Sequence, residues 1–460
     1  MQAETRKWQL MCVVAGAMAL WVCSAAHGAD GMWKVGTAKV NITPEKPIWM
    51  AGYGSRDRPA DGKTADLWAK ALVMEDQEGR RAVLVTLDLL GIDRTLSTTV
   101  CARLEQKFGL RRDQVALCAS HTHSGPVVGS NLGAVHFEQV TAEHQALITA
   151  YAGKLEENIS GVVGMALETM KPAHLSWGSG RATFAVNRRT NREGKVPQLR
   201  AAGQLKGPVD HDVPVLAVRD VEGILRAVVF GYACHATTVG LYQWNADYPG
   251  YATTELEELH PGITALFWAG CGADQNPLPR GKVELSQEYG RKLAGAVETV
   301  LAGVMLPVTP HLGTRYRELD LPFASLPSVE EIRKEAKSGD PTYAARARMF
   351  LRQIDAGRPL SPIYPYPVAQ WLLGDEIQWV FLGGEVVVDY AVRIKAEQRG
   401  VRTWVTGFAN DVMTYIPSLR VLKEGGYEGG GASLGYGQPG AWAPEVESLI
   451  IGAVEDTPKK

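Results

Sequence analysis

Apolar and polar positions alternate with a strand's period from Trp33 to Ile42, and Thr43-Pro44 stops the run. Ala51 to Asp66, rich in Gly, Arg and Asp, reads as a loop. Strands are predicted at Trp68 to Glu75 and Ala82 to Leu89, the second a continuous β-branched and leucine run of the kind buried on both faces. The period becomes helical from about Ser97 to Phe108 and returns to a strand at Gln114 to Ala119. Strand, helix, strand with short returns predicts a parallel crossover unit. A long amphipathic helix follows from Thr141 to about Met170, with His144 inside it as a satisfied or exposed helical residue.

Beyond it the pattern gives short strands, a polar turn from Asn187 to Arg192, and a strong apolar strand from Leu225 to Ala233 that ends in Cys234-His235. A helix over about Pro249 to His260, a strand from Thr264 to Trp268 and the turn Gly270 to Pro277, which holds Asp274, repeat the scheme. A helix from Ser286 to about Leu301 comes next, and Ser328 to Glu331 is a capping box that opens another. Gly357 to Pro367 reads as a Pro-rich connector. Strands at Val368 to Leu373 and Ile377 to Leu382 lead into Gly383-Gly384-Glu385 and a helix to about Gln398. After the strand Arg402 to Gly407, Ala409-Asn410-Asp411 leads to Tyr415, and a glycine-rich run from Gly425 to Gly440 carries Tyr427 and Tyr436. The fold class predicted is α/β: mixed, largely parallel central β-sheets flanked by helices, with a site at the strands' C-terminal ends. Site candidates lie on both sides of the connector, so residues 30–460 are read as a single catalytic domain.

Composition changes this picture little. With 45% hydrophobic and 21% charged residues and a net charge of -2, the chain is ordinary globular material. It has no basic stripe, so no nucleic-acid partner is expected. The N-terminus differs: Arg6-Lys7, an apolar run from Leu10 to Val22 too short to span a bilayer, then Ser24-Ala25-Ala26. Residues 1–29 are therefore read as a signal peptide, and export to the periplasm, cell surface or medium is expected. Leu20-Trp21-Val22-Cys23 departs from a lipoprotein box at Val22. Apart from Cys12 and Cys23, the cysteines are Cys101, Cys118, Cys234 and Cys271, too few for a disulfide framework. Small buried packing residues are the expected role, with pairing or metal ligation as alternatives.

Candidate chemistry begins at His121-Thr122-His123-Ser124-Gly125-Pro126. Residues i and i+2 of an extended chain face the same side, so both imidazoles are expected to open into one space. The pair reads either as the start of a metal site or as solvated loop residues. His235, Asp274, Glu385 and Tyr415 also fall at predicted strand ends, where open α/β sheets bind their ligands. Histidine and carboxylate ligands without an obligatory thiolate suit Zn²⁺, which lowers the pKa of a bound water to about 7 and so provides a nucleophile at neutral pH. The reaction class expected is hydrolysis of an amide, ester or phosphoester. Arg188 or a tyrosine hydroxyl is suited to stabilising the oxyanion, Arg188 being otherwise a surface cation.

These segments are similar to the neutral/alkaline, non-lysosomal ceramidase family, in that family's order. The resemblance runs from Lys34-Val35-Gly36 to Tyr436-Gly437 through His121 to Pro126, Asn187-Arg188, His235-Ala236-Thr237, Gly383-Gly384-Glu385, Gly407-Phe408-Ala409-Asn410, Tyr415 and Tyr427-Glu428-Gly429. It implies one Zn²⁺ per chain, held by His121, His235, Glu385 and Tyr415. It also implies His123 as the proton-transfer group, and Arg188 and Tyr427 facing the substrate carbonyl. Asp274 matches a family aspartate and reads as orienting a ligand or the loop, or as a plain turn residue. The implied activity is hydrolysis of the linear N-acyl amide of ceramide or a related lipid to a fatty acid and a sphingoid-type amine, with possible transient contact with a membrane surface. Alternatives are a zinc hydrolase of the same fold acting on a non-lipid amide or ester, and a non-catalytic surface binding protein. Family members usually carry a further immunoglobulin-like domain, and none is expected within these 460 residues. The family's arginine-rich early strand is here Lys63 to Lys70, and the segment after Tyr415 reads Ile416-Pro417-Ser418-Leu419-Arg420.

Overall fold

The computed structural model describes residues 31–398 and 402–456. The expected signal peptide lies outside the described residues. Strands and helices alternate along the chain much as the periodicity predicts, and they assemble into four layers: helices, a nine-stranded sheet, a four-stranded sheet, and helices again.

The large sheet runs Thr264–Ala269, Leu225–Tyr232, Asp212–Asp220, Lys171–Arg181, Trp33–Asn41, Trp68–Glu75, Arg81–Leu87, Val115–Ala119, with Leu306–Pro307 added beside Lys171–Arg181. The sheet is mixed, as expected, but the expectation of largely parallel pairing needs correction. Its centre is antiparallel, and parallel pairs occur only at its two edges, Arg81–Leu87 with Val115–Ala119 and Leu225–Tyr232 with Thr264–Ala269. The reason lies in the connections. Only these two pairs are joined through a crossover helix, Arg94–Phe108 and Asp247–Leu259, while the short turns after Glu75 and after Asp220 force antiparallel pairing of the strands they join. Each parallel edge ends in a histidine segment. The sheet coils until the chain beyond the two edges meets: Thr122 bridges Ala236, and the His123 N–H donates to the Ala236 carbonyl at 3.1 Å.

One face of this sheet is covered by Ala142–Glu168 and Val283–Leu301 with the two crossover helices. The other packs on the second sheet, ordered Leu312–Pro322, Ile363–Leu373, Ile377–Leu382, Arg402–Thr406. Trp268, Trp371, Trp379 and Trp404 fill the gap, their neighbouring ring centres 5.2–6.4 Å apart. A buried tryptophan removes roughly 150–250 Å² from water, about 4–6 kcal/mol of transfer free energy at 25 cal/mol per Å². That interface clamps the ends of Val115–Ala119 and Arg402–Thr406 together, with bridges Cys118 to Ala409 and Gly270 to Thr406.

Two further readings change. The Pro-rich connector becomes strand from Ile363 onward. Pro365 and Pro367 are tolerated because residues 363–367 pair only with Leu312–Pro322, so no second neighbour needs their missing N–H. The eleven-residue strand Leu312–Pro322 escaped the periodicity reading because Arg315, Arg317, Glu318 and Asp320 interrupt it on a half-exposed sheet edge. Cys101, Cys118, Cys234 and Cys271 are free and buried, the packing role expected of them. Among the described residues no helix is long and apolar enough to cross a membrane.

Candidate metal centre

His121 lies two residues beyond its strand with φ at +61°, so the segment is not extended there. The two imidazoles do meet, their Nε2 atoms 3.2 Å apart, but through this left-handed turn rather than through strand pleating. His235 enters from the opposite edge of the same sheet, its backbone N–H donating to the Gln275 carbonyl. Glu385 comes from the second sheet. Gly384, at φ +76°, makes the turn that delivers it; a Cβ there would lie 2.6 Å from Ile416 and 2.7 Å from the Thr414 carbonyl. Tyr415 pairs with Glu385 in a short parallel bridge.

The ring nitrogens can be assigned from their neighbours. His121 Nδ1 sits 2.6 Å from the Leu90 carbonyl, and His235 Nδ1 2.8 Å from the Gly272 carbonyl. A carbonyl only accepts, so each Nδ1 carries the hydrogen and each Nε2 presents a lone pair. Those lone pairs point at Glu385 Oε2, 3.3 Å from His121 Nε2 and 3.2 Å from His235 Nε2. Three acceptors thus converge without a hydrogen between them, and Glu385 Oε2 is buried with no hydrogen-bond partner. A cation resolves this. Ligand atoms bonded at 2.0–2.1 Å in a tetrahedron lie about 3.3–3.4 Å apart, close to the separations found. Tyr415 Oη is 3.3 Å from His235 Nε2, on the fourth side. The imidazoles of His121, His123 and His235 together form a group able to hold a metal ion.

Electrostatics suit this arrangement. Burial, reinforced by the Arg188 charge, pushes the His235 imidazole down to about 4, and burial with the neighbouring imidazoles lowers His123 well below its usual value. Neutral imidazoles and an ionised carboxylate are the forms that bind a metal.

Around this centre the structure also places the other predicted residues. Arg188 donates from Nη2 to Tyr415 Oη at 3.1 Å and from Nε to Glu428 Oε1 at 2.7 Å. Tyr427 is 56% exposed, its ring 5.1 Å from that of Tyr415 at the site mouth. Asp274 touches none of the imidazoles. It is a loop organiser, Oδ1 accepting from the Val388 N–H and Oδ2 from Asn187 Nδ2, both at 2.9 Å, which ties the Arg188 turn to the segment following Glu385. His123 differs from the other two histidines. Its Nδ1 is buried without a partner, and its ring is held by Tyr53 and by Gly52, at φ +103°, where a Cβ would come within 2.5 Å.

Sequence reasoning did not single out Tyr436, whose hydroxyl donates to Glu385 Oε1, or Glu428, which holds Arg188 and Arg189 together. Nor did it find the carbonyls of Leu90 and Gly272. Tyr436 stands in the glycine-rich run already noted, but nothing in that run shows which tyrosine turns inward.

Residues 33–266 match the family described as neutral/alkaline non-lysosomal ceramidase, N-terminal. The neutral ceramidase of Pseudomonas aeruginosa is 28% identical over 346 residues, 70% of this chain and 49% of that protein. The neutral ceramidase of Drosophila pseudoobscura pseudoobscura is 25% identical over 381 residues, 74% of this chain and 52% of that one. The chain thus spans about half the length of these relatives. The solved structure of the Pseudomonas aeruginosa neutral ceramidase superposes with a TM-score of 0.71 over 94% of this chain and 76% of that one, at 21% identity, a likeness of fold. On the match that spans half its length, this chain belongs to the neutral/alkaline non-lysosomal ceramidase family.

Proposed function

We propose that this chain is a zinc-dependent amidohydrolase that cleaves the N-acyl amide of ceramide or a related N-acyl lipid to a free fatty acid and an amine. One observation carries the reading: His121 Nε2 and His235 Nε2, both acceptors, approach Glu385 Oε2, itself an acceptor without a partner, at 3.3 and 3.2 Å. His121, His235, Glu385 and Tyr415 would hold one Zn²⁺. The ion, when bound, supplies an activated water and polarises the substrate carbonyl.

The remaining work falls to the chain's own side chains. His123 adjoins the ligands at 3.2 Å but lacks a carbonyl to fix its tautomer, so its ring can take a proton from the attacking water and return it to the departing amine nitrogen. Arg188 and Tyr427 stand where charge develops on the carbonyl oxygen, and Glu428 and Asn276 hold the guanidinium in place. Asp274 keeps the Arg188 turn and the Glu385 segment in register. The proposal includes export directed by residues 1–29, one catalytic unit over residues 30–460, and transient contact with a lipid surface.

The deciding experiment pairs metal analysis of the purified protein with hydrolysis of a short-chain ceramide by metal-free and zinc-restored forms. About one zinc per chain and zinc-dependent release of the fatty acid are expected. A metal-free preparation as active as the restored one would overturn the mechanism.

A further inference from the structure

Immediately outside Arg188 and Tyr427 lies an open cavity of about 460 Å³, whose lining includes Arg188, Arg189, Arg192, Arg280, Asn276 and Tyr427 and contains no aliphatic side chain. Such a surface is a poor seat for an alkyl chain, since each methylene left in water forgoes about 0.8 kcal/mol. Its charge is uneven. Four arginines face three carboxylates, and the carboxylates are already engaged: Glu428 by Arg188 and Arg189, Glu424 by Arg189 and Arg420, Glu193 by Arg280. Arg192 is exposed at the rim, and among the described residues no carboxylate pairs with it. The Arg280–Glu193 pair, with side chains 29% and 49% exposed, is of the kind that exchanges readily for another anion.

The cavity also borders the reacting centre. Arg188 connects it to Tyr415.

We propose that the mouth reads an anion: the preferred substrate carries a carboxylate or similar anionic group on one half of its scissile amide, met by Arg192 and Arg280. This rests on the hydrolase reading and narrows its substrate class. Cationic walls beside a water-excluding site concentrate an anionic ligand and steer its approach. The guanidinium fork suits a planar carboxylate better than a point charge would. Because the rim is exposed, the effect must be screened by salt, as the Debye length falls from about 8 Å at 0.15 M to about 3 Å at 1 M.

The test uses the zinc-loaded full chain and two matched substrate pairs. N-hexanoylglycine against N-hexanoylethanolamine puts the anion on the amine half, and N-succinyl against N-butyryl amides of one neutral amine put it on the acyl half. In one pair the anionic member should exceed its neutral partner by about tenfold or more in kcat/KM at low salt, an estimate based on one or two screened charge contacts. The ratio should fall towards one in 1 M salt and in Arg192→Ala and Arg280→Gln, and should invert in Arg192→Glu. Ratios within twofold for both pairs, or a ratio indifferent to salt and to these substitutions, would overturn the proposal. If a short-chain ceramide is turned over as fast as the anionic amides, the hydrolase reading stands and this inference falls. If no amide is cleaved by protein that holds its zinc, both fall together.

Discussion

Tyr436→Phe removes one hydroxyl and leaves the buried ring in place, so it isolates a single contact of the centre. That hydroxyl donates to Glu385 Oε1, while Oε2 of the same carboxylate faces His121 and His235. A hydrogen bond to a charged acceptor contributes about 1.5–3 kcal/mol. At about 1.4 kcal/mol per factor of ten, that amounts to roughly 10- to 100-fold in affinity, the range usually lost with an outer partner of a metal ligand. Zinc competition against a chromogenic chelator at fixed pH should therefore give a Kd weaker by about 10- to 100-fold in the variant. By linkage, the gain in melting temperature on adding zinc should shrink as well. An unchanged zinc Kd would refute the reasoning, because it would mean that Glu385 is not oriented through Oε1 or does not hold the metal.

Other substitutions probe the remaining parts. Glu385→Ala should abolish both bound zinc and hydrolysis, and normal activity in that variant would exclude this site. Arg188→Lys keeps the charge but not the fork that reaches Tyr415, Glu428 and Asn276; kcat/KM should fall about 10- to 100-fold through kcat with zinc content retained, and a rise in KM with kcat unchanged would show that Arg188 binds substrate and transition state alike and refute its role in charge development. Asp411 is buried beneath Tyr364, and burial raises its carboxyl to about 7. A carboxyl raised on folding contributes stability that is complete below its unfolded value near 4 and is lost as pH rises through about 7. Asp411→Asn should therefore flatten the fall in melting temperature between pH 4 and pH 8, and an unaltered slope would count against the assignment.

Periodicity located most of the strands and helices, because burial on one face leaves its mark in every second or every third to fourth residue. It failed where that mark is absent. The half-exposed edge strand Leu312–Pro322 carries charges along its length, and the start of Ile363–Leu373 is written in prolines. The antiparallel middle of the large sheet was equally hidden, since the burial pattern of a strand records which face is covered and not which way its neighbour runs.

For the site, strand stops and pattern-breaking turns were enough to nominate His121, His123, His235, Asp274, Glu385 and Tyr415 and to offer Arg188 for the oxyanion, whereas the ligand role of Tyr415 and the place of Tyr427 came only with the family resemblance. Their convergence was a different matter. It depends on a sheet that coils until its two parallel edges meet, on a second sheet that presses Glu385 and Tyr415 against that seam, and on a left-handed residue at His121. The hydrogen bond that Tyr436 donates to Glu385, and those that the histidine Nδ1 atoms donate to the Leu90 and Gly272 carbonyls, then set which atom of each ligand faces inward. Local sequence encodes which residues can bind a metal, because that is a property of the side chain. Distances of 3.2–3.3 Å between atoms as far apart in the chain as His121, His235 and Glu385 arise only from packing, and only the tertiary structure decides them.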